Sequence, residues 1–201
     1  MVRAKALVLI AVVLLGVSYV AAASGDETRN DVGVLVGYIA PSSDSTIGGV
    51  KTKAESTVDY GIEYKHRFLE SARLSVGATV LYADFDVKAA STKVGDVTNT
   101  PILIDVNWHF LKNKALYLGA TVGYSMWGNF QPNGGGGSVN IKNDTLYGVN
   151  LGYDIAIGKR WAILTNVRYL GMKAQTDVSG AANQTVDVNP IVANVGFAFR
   201  F

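Results

Sequence analysis

The sequence contains no cysteine, which excludes disulfide bonds and thiolate chemistry. Lipoprotein processing is excluded for the same reason, since no cysteine follows the apolar run near the N-terminus. Beyond that run, no segment is long and apolar enough for a transmembrane helix, which needs roughly 20 apolar residues. There is also little net charge, because Arg3 and Lys5 account for the +2 of the whole chain. Without a clustered basic surface, nucleic acid is not expected as a partner.

The N-terminus has the composition of a cleaved secretory signal peptide. After Arg3 and Lys5, an unbroken apolar run extends from Ala6 to Val17, and Ala21-Ala22-Ala23 follows at the spacing of a signal peptidase site. The alternative is a membrane anchor, but the run is shorter than the roughly 20 residues that an anchor requires. We expect residues 1–23 to be removed and residues 24–201 to form a single domain.

Bulky apolar side chains alternate with small or polar ones through most of the remaining chain. Near the C-terminus, Val195, Phe197, Phe199 and Phe201 share one parity, whereas Arg200 and its alternate neighbours share the other. The segments 102–110 and 147–157 follow the same rule. Since successive side chains of a strand point to opposite faces, this alternation predicts β-strands. A transmembrane barrel turns the apolar face toward lipid and the polar face inward.

Applied to the whole chain, the rule predicts an all-β fold, an eight-stranded antiparallel up-and-down transmembrane barrel in the bacterial outer membrane. The predicted strands are Asp31–Ala40, Ser56–Arg67, Ala72–Val87, Thr100–Leu111, Ala115–Asn129, Thr145–Gly158, Arg160–Ala174 and Val188–Phe201. Three short connections alternate with four long ones, as in outer-membrane barrels, where the short turns are periplasmic and the long loops extracellular. The predicted long loops are Pro41–Glu55, Lys88–Asn99, Phe130–Asp144 and Gln175–Asp187.

Several of these strands resemble those of the OmpW family, which includes the AlkL-type proteins. The resemblance is carried by Thr100-Pro101 and the strand ending at Phe110, by Leu116–Tyr124, by Leu151-Gly-Tyr-Asp154, and by the ending Gly196-Phe-Ala-Phe-Arg-Phe201. The chain departs from the family pattern in having one proline where two adjacent prolines are usual, and Ile191 where an aromatic is usual. The resemblance implies a barrel that passes small hydrophobic molecules across the outer membrane and releases them sideways through its wall.

The inward-facing parity predicts an interior with two halves. An eight-stranded barrel is just wide enough for side chains to fill it, and opposed charges in that space should pair. We expect a lumenal plug near the periplasmic rim, formed by Asp59, Glu63, Lys65, Arg73, Asp105, His109, Asp154, Arg168 and Arg200. We expect a pocket for small hydrophobic molecules near the extracellular rim, formed by Ile39, Leu81, Phe85, Leu103, Trp127, Leu170, Met172 and Val192. Plain packing is the alternative for this apolar set.

Two prolines are candidates for an opening in the wall. Pro101 and Pro190 are expected at the outer ends of the fourth and eighth strands, and proline cannot donate a ladder hydrogen bond. They either mark the ends of strands or form a lateral gate through which cargo leaves the pocket for the membrane. Replacement of either proline by alanine should then slow uptake without unfolding the barrel.

Two other classes of function remain as alternatives. A lipid-modifying enzyme would need serine and histidine near the outer leaflet, but His66 and His109 are expected at the periplasmic ends of their strands without a serine at obvious spacing. Asp84 and Asp86 are interpreted as solvated or salt-bridged. A structural or adhesive barrel would use its extracellular loops, which are also candidate sites for phage or bacteriocin binding. Outer-membrane lipids, lipopolysaccharide and the barrel-assembly machinery are the other expected partners, and we expect no enzymatic activity, metal or cofactor.

Overall fold

The structure, a computed structural model, describes residues 30–43, 45–47, 50–68, 73–89, 91–111, 115–134, 139–177 and 184–201. The expected signal peptide lies outside these ranges. The described residues form strands β1 (Asn30–Pro41), β2 (Ser45–Ile47), β3 (Val50–Ala54), β4 (Thr57–Arg67), β5 (Leu74–Ala89), β6 (Thr92–His109), β7 (Leu116–Trp127), β8 (Gln131–Pro132), β9 (Asn140–Lys142), β10 (Asp144–Ile157), β11 (Trp161–Gly171), β12 (Lys173–Asp177), β13 (Gln184–Asp187) and β14 (Pro190–Arg200). Within those ranges, no helix is long and apolar enough to cross a membrane.

Eight long strands close into a ring. Each pairs antiparallel with two neighbours, in the order β1, β14, β11, β10, β7, β6, β5, β4 and back to β1. A closed ring satisfies the backbone hydrogen bonds of its strands without leaving a free sheet edge. The eight-stranded antiparallel barrel predicted from alternation is therefore confirmed.

The two ends of the barrel differ. At one end, which we call the terminal end, Asn30 and Phe201 lie side by side, and the backbone N–H of each donates to the carbonyl of the other at 2.9 Å. The tight turn between β10 and β11 lies at this end, where Gly158 adopts a φ of 73°, a conformation that favours glycine. The opposite end carries the long connections, and we call it the loop end.

The long connections are more ordered than the sequence indicates. The predicted loop Lys88–Asn99 is wrong, because β5 and β6 continue as one hairpin in which Ala89 pairs with Thr92. The other three connections contain β2, β3, β8, β9, β13 and part of β12. Polar composition suggested loops there, but their threonine and valine residues are good strand formers, and pairing with the barrel strands satisfies their backbones.

The additional strands extend the structure beyond the barrel at the loop end on two sides. The β2–β3 hairpin joins β5, and β8 joins β6, so the barrel wall rises on that side. A separate three-stranded sheet of β9, β12 and β13 stands on the other side. The interior of the barrel therefore continues upward between two walls.

The outer face of the barrel is apolar and has aromatic side chains toward both ends. The loop-side halves of the strands carry the outward tyrosines Tyr38, Tyr60, Tyr82, Tyr124, Tyr147 and Tyr169. Toward the terminal end, Trp161 stacks on Phe197 with ring centroids 4.9 Å apart. Tyrosine and tryptophan favour the two membrane–water interfaces, so these side chains mark the limits of a membrane-spanning band.

Candidate functional site: an apolar pocket above an ionic plug

An apolar pocket of about 380 Å³ lies at the loop end, between the raised barrel wall and the three-stranded sheet. Its wall includes Phe85, Val97, Trp127, Phe130, Ile141 and Val188. Phe85 and Trp127 each stand three residues beyond an outward tyrosine of their own strand, Tyr82 and Tyr124. Three residues of strand span roughly 10 Å, so the pocket lies about that far beyond the tyrosines, toward the loop end.

Strand alternation accounts for the apolar character of the pocket. Two charged residues border it, Lys53 and Asp187, but both occupy the outward parity of their strands. Lys53 pairs in register with Lys88, and the Asp187 carboxylate is 3.9 Å from the Lys173 ammonium on the exposed face. The side chains on the inward parity, such as Val186 and Val188, turn toward the pocket.

The eight residues predicted to bind a hydrophobic molecule all face the interior, at two different depths. Phe85 and Trp127 line the pocket. The other six are at most 1% exposed and form the packed apolar layer of the core: Ile39, Leu81, Leu103, Leu170, Met172 and Val192. This layer supports the pocket from within the barrel.

Sequence reasoning missed much of the pocket wall. Val139, Ile141, Val186 and Val188 line it, and all but Val188 fall in connections that were read as loops. A short alternation was present there, as in Val186-Asp-Val188, but two or three residues are too few to distinguish a strand from a polar loop.

Pro101 lies inside β6 rather than at its outer end, because that strand begins at Thr92. Val80 pairs with Ile102 and Ala83 pairs with Asn99, but no pairing across β5 and β6 joins the residues between them in this described stretch. The interruption leaves Leu81 and Tyr82 opposite Pro101 and Thr100. Proline has no N–H to donate, which explains the missing bonds on the β5 side, whereas Pro101 still pairs with Ser125 on the β7 side.

A small depression marks the outer surface of the wall at this interruption. It has a volume of about 180 Å³ and is lined by Tyr60, Ile62, Val80, Tyr82 and Thr100, among others. The interruption is thus at the level of the tyrosines, just below the pocket wall formed by Phe85 and Val97.

Pro190 is the first residue of β14 and so lies at the outer end of its strand, as predicted. Its neighbours are more completely hydrogen-bonded than those of Pro101. Pro190 pairs with Pro41 of β1, and the neighbouring Asn189 accepts hydrogen bonds from the Ser42 hydroxyl at 2.5 Å and from the Met172 backbone at 3.3 Å. Of the two prolines, Pro101 is therefore the one that lies at a weakened seam.

Below the apolar layer, eight charged side chains form a continuous series of alternating ion pairs, which we call the ionic plug. In order these are Asp105, Arg168, Glu63, Lys65, Asp154, Arg67, Asp31 and Arg200. Each member contacts a neighbour of opposite sign, so four cations balance four carboxylates. Most of them are nearly inaccessible to solvent, where an unpaired charge would be costly.

Neutral side chains complete the ionic plug. The Asp105 carboxylate accepts hydrogen bonds from Thr121 at 2.5 Å and from Asn150 at 3.0 Å, and Arg168 donates to Asn166 at 2.7 Å. The Lys65 ammonium also lies 4.2 Å from the ring centroid of Tyr117, a cation–π contact. The lower half of the barrel is therefore filled by bonded side chains.

The remaining predicted plug residues have different environments. Asp59 is buried without an ion pair in the described residues, and its Oδ1 accepts a hydrogen bond from Asn194 at 2.6 Å while Oδ2 has no hydrogen-bond partner there. Arg73 lies outside the plug, exposed in the turn before β5 with a φ of 47°. His109 is buried and hydrogen-bonded to Ser75 at 2.9 Å.

Sequence reasoning missed three polar partners in this half. Asp31 and Arg67 were not assigned to the plug, although both share the inward parity of their strands. Ser75 was not recognised as the partner of His109, because the two residues are 34 positions apart and meet only through the register of β5 against β6.

At the loop end, Asp86 is salt-bridged, as interpreted from the sequence. The Lys93 ammonium is 2.8 Å from Asp86 and 2.5 Å from Asp96. The hydrogen bond from Lys93 lowers the pKa of the Asp86 carboxyl. Among the described residues, no group of three or more histidine, aspartate or glutamate side chains is placed to hold a metal ion.

Comparison with known proteins gives concordant results. The sequence matches the family model described as "Outer membrane protein beta-barrel domain" over residues 8–201. It is 26% identical over 138 residues to the uncharacterized outer-membrane protein y4mB of Sinorhizobium fredii, a match that covers 65% of this chain and 59% of the relative. The chain thus spans less than two thirds of the length of that relative.

Two solved structures are similar in fold. OprG from Pseudomonas aeruginosa superposes with a TM-score of 0.71 at 18% identity, covering 88% of this chain and 98% of OprG. AlkL, solved in lipid bilayers, gives a TM-score of 0.59 at 17% identity, covering 89% of this chain and 92% of AlkL. Both are OmpW-like barrels, so the resemblance found in the sequence is confirmed for the fold.

Proposed function

Because the chain belongs to the outer membrane protein β-barrel domain family, we propose that it is a channel for small hydrophobic molecules in the bacterial outer membrane. The observation that carries this proposal is the apolar pocket of about 380 Å³ at the loop end. A concave apolar site of this size suits a small ligand. Complete filling by Phe85, Trp127 and Met172 would instead have favoured a barrel without cargo.

The ionic plug determines the direction in which cargo leaves. An apolar molecule in the pocket cannot cross the plug without displacing buried, paired charges, which is very costly. Lipid, in contrast, is a good solvent for such a molecule. The proposed path therefore runs from the pocket through the barrel wall and into the membrane.

The interruption beside Pro101 is the proposed exit. It lies just below Phe85 and Val97 of the pocket wall, at the height of the outward tyrosines. Opening the wall here breaks fewer ladder hydrogen bonds than elsewhere in β5 and β6. Leu81 and Leu103, which flank Pro101 on the inner face, would move aside as cargo passes. Pro190 remains a secondary candidate, since its neighbours are bonded across to β1 and to Met172.

The outer surface determines the other partners. Outer-membrane lipids surround the apolar face, and lipopolysaccharide would meet the tyrosines and the loop-end strands. The loop-end sheets are the surface that a phage or bacteriocin would meet, and the barrel-assembly machinery would insert the protein.

Two alternative functions have less support. A lipid-modifying enzyme would require an accessible nucleophile, whereas Ser75 and His109 are buried in the half that the plug fills. We therefore propose that the protein is not an enzyme. A structural or adhesive barrel would use the loop-end sheets, but that function gives no role to the pocket.

Uptake across an intact outer membrane tests the proposal. Cells with a lipopolysaccharide-containing outer membrane are compared without the protein, with the protein and with the Phe85→Asp variant, and p-xylene entry is followed. We expect faster entry with the protein and no gain with Phe85→Asp produced at the same level. Equal entry rates in all three cell types would exclude the channel.

A further inference from the structure

Two buried polar atoms of complementary type, one on Asn99 and one on Trp127, lie unbonded next to the pocket, since Trp127 lines it and Asn99 is the next inward residue of β6 below Val97 of its wall. Asn99 of β6 and Trp127 of β7 are directly opposite each other in register, and both face the interior. The Asn99 amide nitrogen donates to the Ser125 hydroxyl at 2.6 Å, which fixes the orientation of the amide. In the described part of the chain, Asn99 Oδ1 has no donor and Trp127 Nε1 has no acceptor, although both atoms are buried.

Such a pair requires an explanation, because a buried polar atom without a hydrogen bond destabilises the fold. Here the two atoms are one acceptor and one donor on adjacent strands. A group that both donates and accepts a hydrogen bond would satisfy the two together. Trp127 belongs to the pocket wall, so that group can arrive with a ligand.

We infer that the pocket prefers a small apolar molecule carrying one hydroxyl group, which accepts from Trp127 Nε1 and donates to Asn99 Oδ1. This inference rests on the proposed function and specifies its cargo. The ligand class is a neutral alcohol or phenol with an apolar body. The body occupies the pocket, and the hydroxyl reaches the polar pair next to it.

Other polar groups fit the pair less well. A carboxylate has no proton to donate to Asn99 Oδ1, and an ammonium has no lone pair for Trp127 Nε1. A ketone or ether would satisfy the indole alone. A hydrocarbon would satisfy neither atom. A site built to bond a hydroxyl discriminates against an analogue that lacks it, because the polar atoms of the site are then left unpaired.

The wall can admit the hydroxyl because Trp127 is only partly buried. Its ring centroid is 6.4 Å from that of Phe85 and the two rings are tilted by 41°, so the indole is not clamped in a parallel stack. Because Trp127 Nε1 is itself buried, binding requires the indole to rotate until its N–H faces the pocket, while Asn99 stays anchored on Ser125.

Two compounds of nearly identical shape test the inference. p-Cresol carries a hydroxyl where p-xylene carries a methyl group. Binding of each is measured calorimetrically to protein in lipid nanodiscs, with empty nanodiscs subtracted. We expect the parent protein to prefer p-cresol, and Trp127→Phe and Asn99→Ala each to reduce that preference about fivefold by removing one hydrogen bond. Trp161→Phe, which loses the same N–H on the membrane face, is the matched control and should keep the preference.

A second measurement does not depend on the folding of the Asn99 variant. Trp108→Phe and Trp161→Phe together leave Trp127 as the sole tryptophan of the three, so its indole N–H gives a single NMR signal. p-Cresol should shift that signal downfield, and p-xylene should not. Equal binding of both compounds with no such shift would overturn the hydroxyl preference and leave the channel intact. If neither compound binds, the pocket has no role in transport and the proposed function fails as well.

Discussion

Arg168 on β11 reaches across the barrel interior to Glu63 on β4, with Nη2 3.2 Å from Oε2. The two strands are not neighbours, since β1 and β14 stand between them. The ion pair therefore spans the lumen, and the second contact of Arg168, with Asp105 on β6 at 3.0 Å, spans it in another direction. One guanidinium thus ties three separate parts of the wall together and closes the interior to flow.

Removing this guanidinium should destabilise the barrel strongly. Arg168→Met leaves Glu63 and Asp105 as buried carboxylates short of a cation, which typically costs about 3–5 kcal/mol. Urea unfolding of the refolded barrel in lipid vesicles measures the effect. Arg160→Met, at an exposed turn of the terminal end, is the matched control and should change the free energy of unfolding by less than about 0.5 kcal/mol. Equal losses in both variants would mean that the plug does not hold the barrel together.

Two buried acidic residues of the interior, Asp105 and Asp59, should respond differently to neutralisation. Asp105→Asn weakens an ion pair and three further hydrogen bonds, so we expect a loss of about 2–3 kcal/mol in the free energy of unfolding. Asp59→Asn removes a carboxylate that has no ion pair among the described residues, and it should not lower that free energy. Unfolding curves of both variants at one pH give the comparison, and a larger loss for Asp59→Asn would contradict the assignment of charges.

Side-chain facing predicts which apolar positions tolerate a charge. Leu151 is half exposed on the outer face, so Leu151→Asp should impair insertion, at somewhat less than the roughly 2–4 kcal/mol of a midplane lysine or arginine. Trp127→Asp and Phe85→Asp lie above the membrane band and should insert normally while losing p-xylene binding. Heat-modifiable migration on gels reports folding, and calorimetry reports binding. Equal insertion defects in all three variants would refute the assignment of these side chains to the outer and inner faces.

Restoring a backbone hydrogen-bond donor at the interruption should slow the release of cargo through the wall. Pro101→Ala supplies an N–H on the β5 side of β6, so the missing ladder bond can form and the seam should open less readily. We expect slower p-xylene uptake with unchanged barrel stability. Pro190→Ala, at the bonded start of β14, should slow uptake less. Unchanged uptake in Pro101→Ala would exclude a role for Pro101 in opening the barrel wall.

The barrel itself could be predicted from sequence because alternation is local. In the segment 147–157, alternation assigns each residue to a face without reference to any partner, and the burial pattern of residues 147–155 follows that assignment. The loop-end strands could not be predicted from sequence because β8, β9 and β13 are only two to four residues long. Their stability comes from pairing with other strands, which leaves no periodic signal in so few residues.

The partners within the site could not be predicted for a related reason. Parity places Arg168 and Glu63 in the interior, but their contact depends on the registers of the four strands from β4 to β11 around the ring. The interruption beside Pro101 likewise required the register of β5 against β6. Parity identifies the face of a residue, whereas register identifies its neighbour.

A reversible disulfide cross-link between β5 and β6 at the interruption tests lateral release most directly. Because the sequence has no native cysteine, only the introduced thiols can form the bond. Tyr82→Cys with Thr100→Cys places one thiol on each strand at the interruption. The control, Val80→Cys with Ile102→Cys, places one thiol on each strand where the two strands are still paired. Oxidation should stop p-xylene uptake in the first variant, reduction should restore it, and the second variant should transport in both states. Full uptake through the oxidised Tyr82–Thr100 variant would contradict release through this wall.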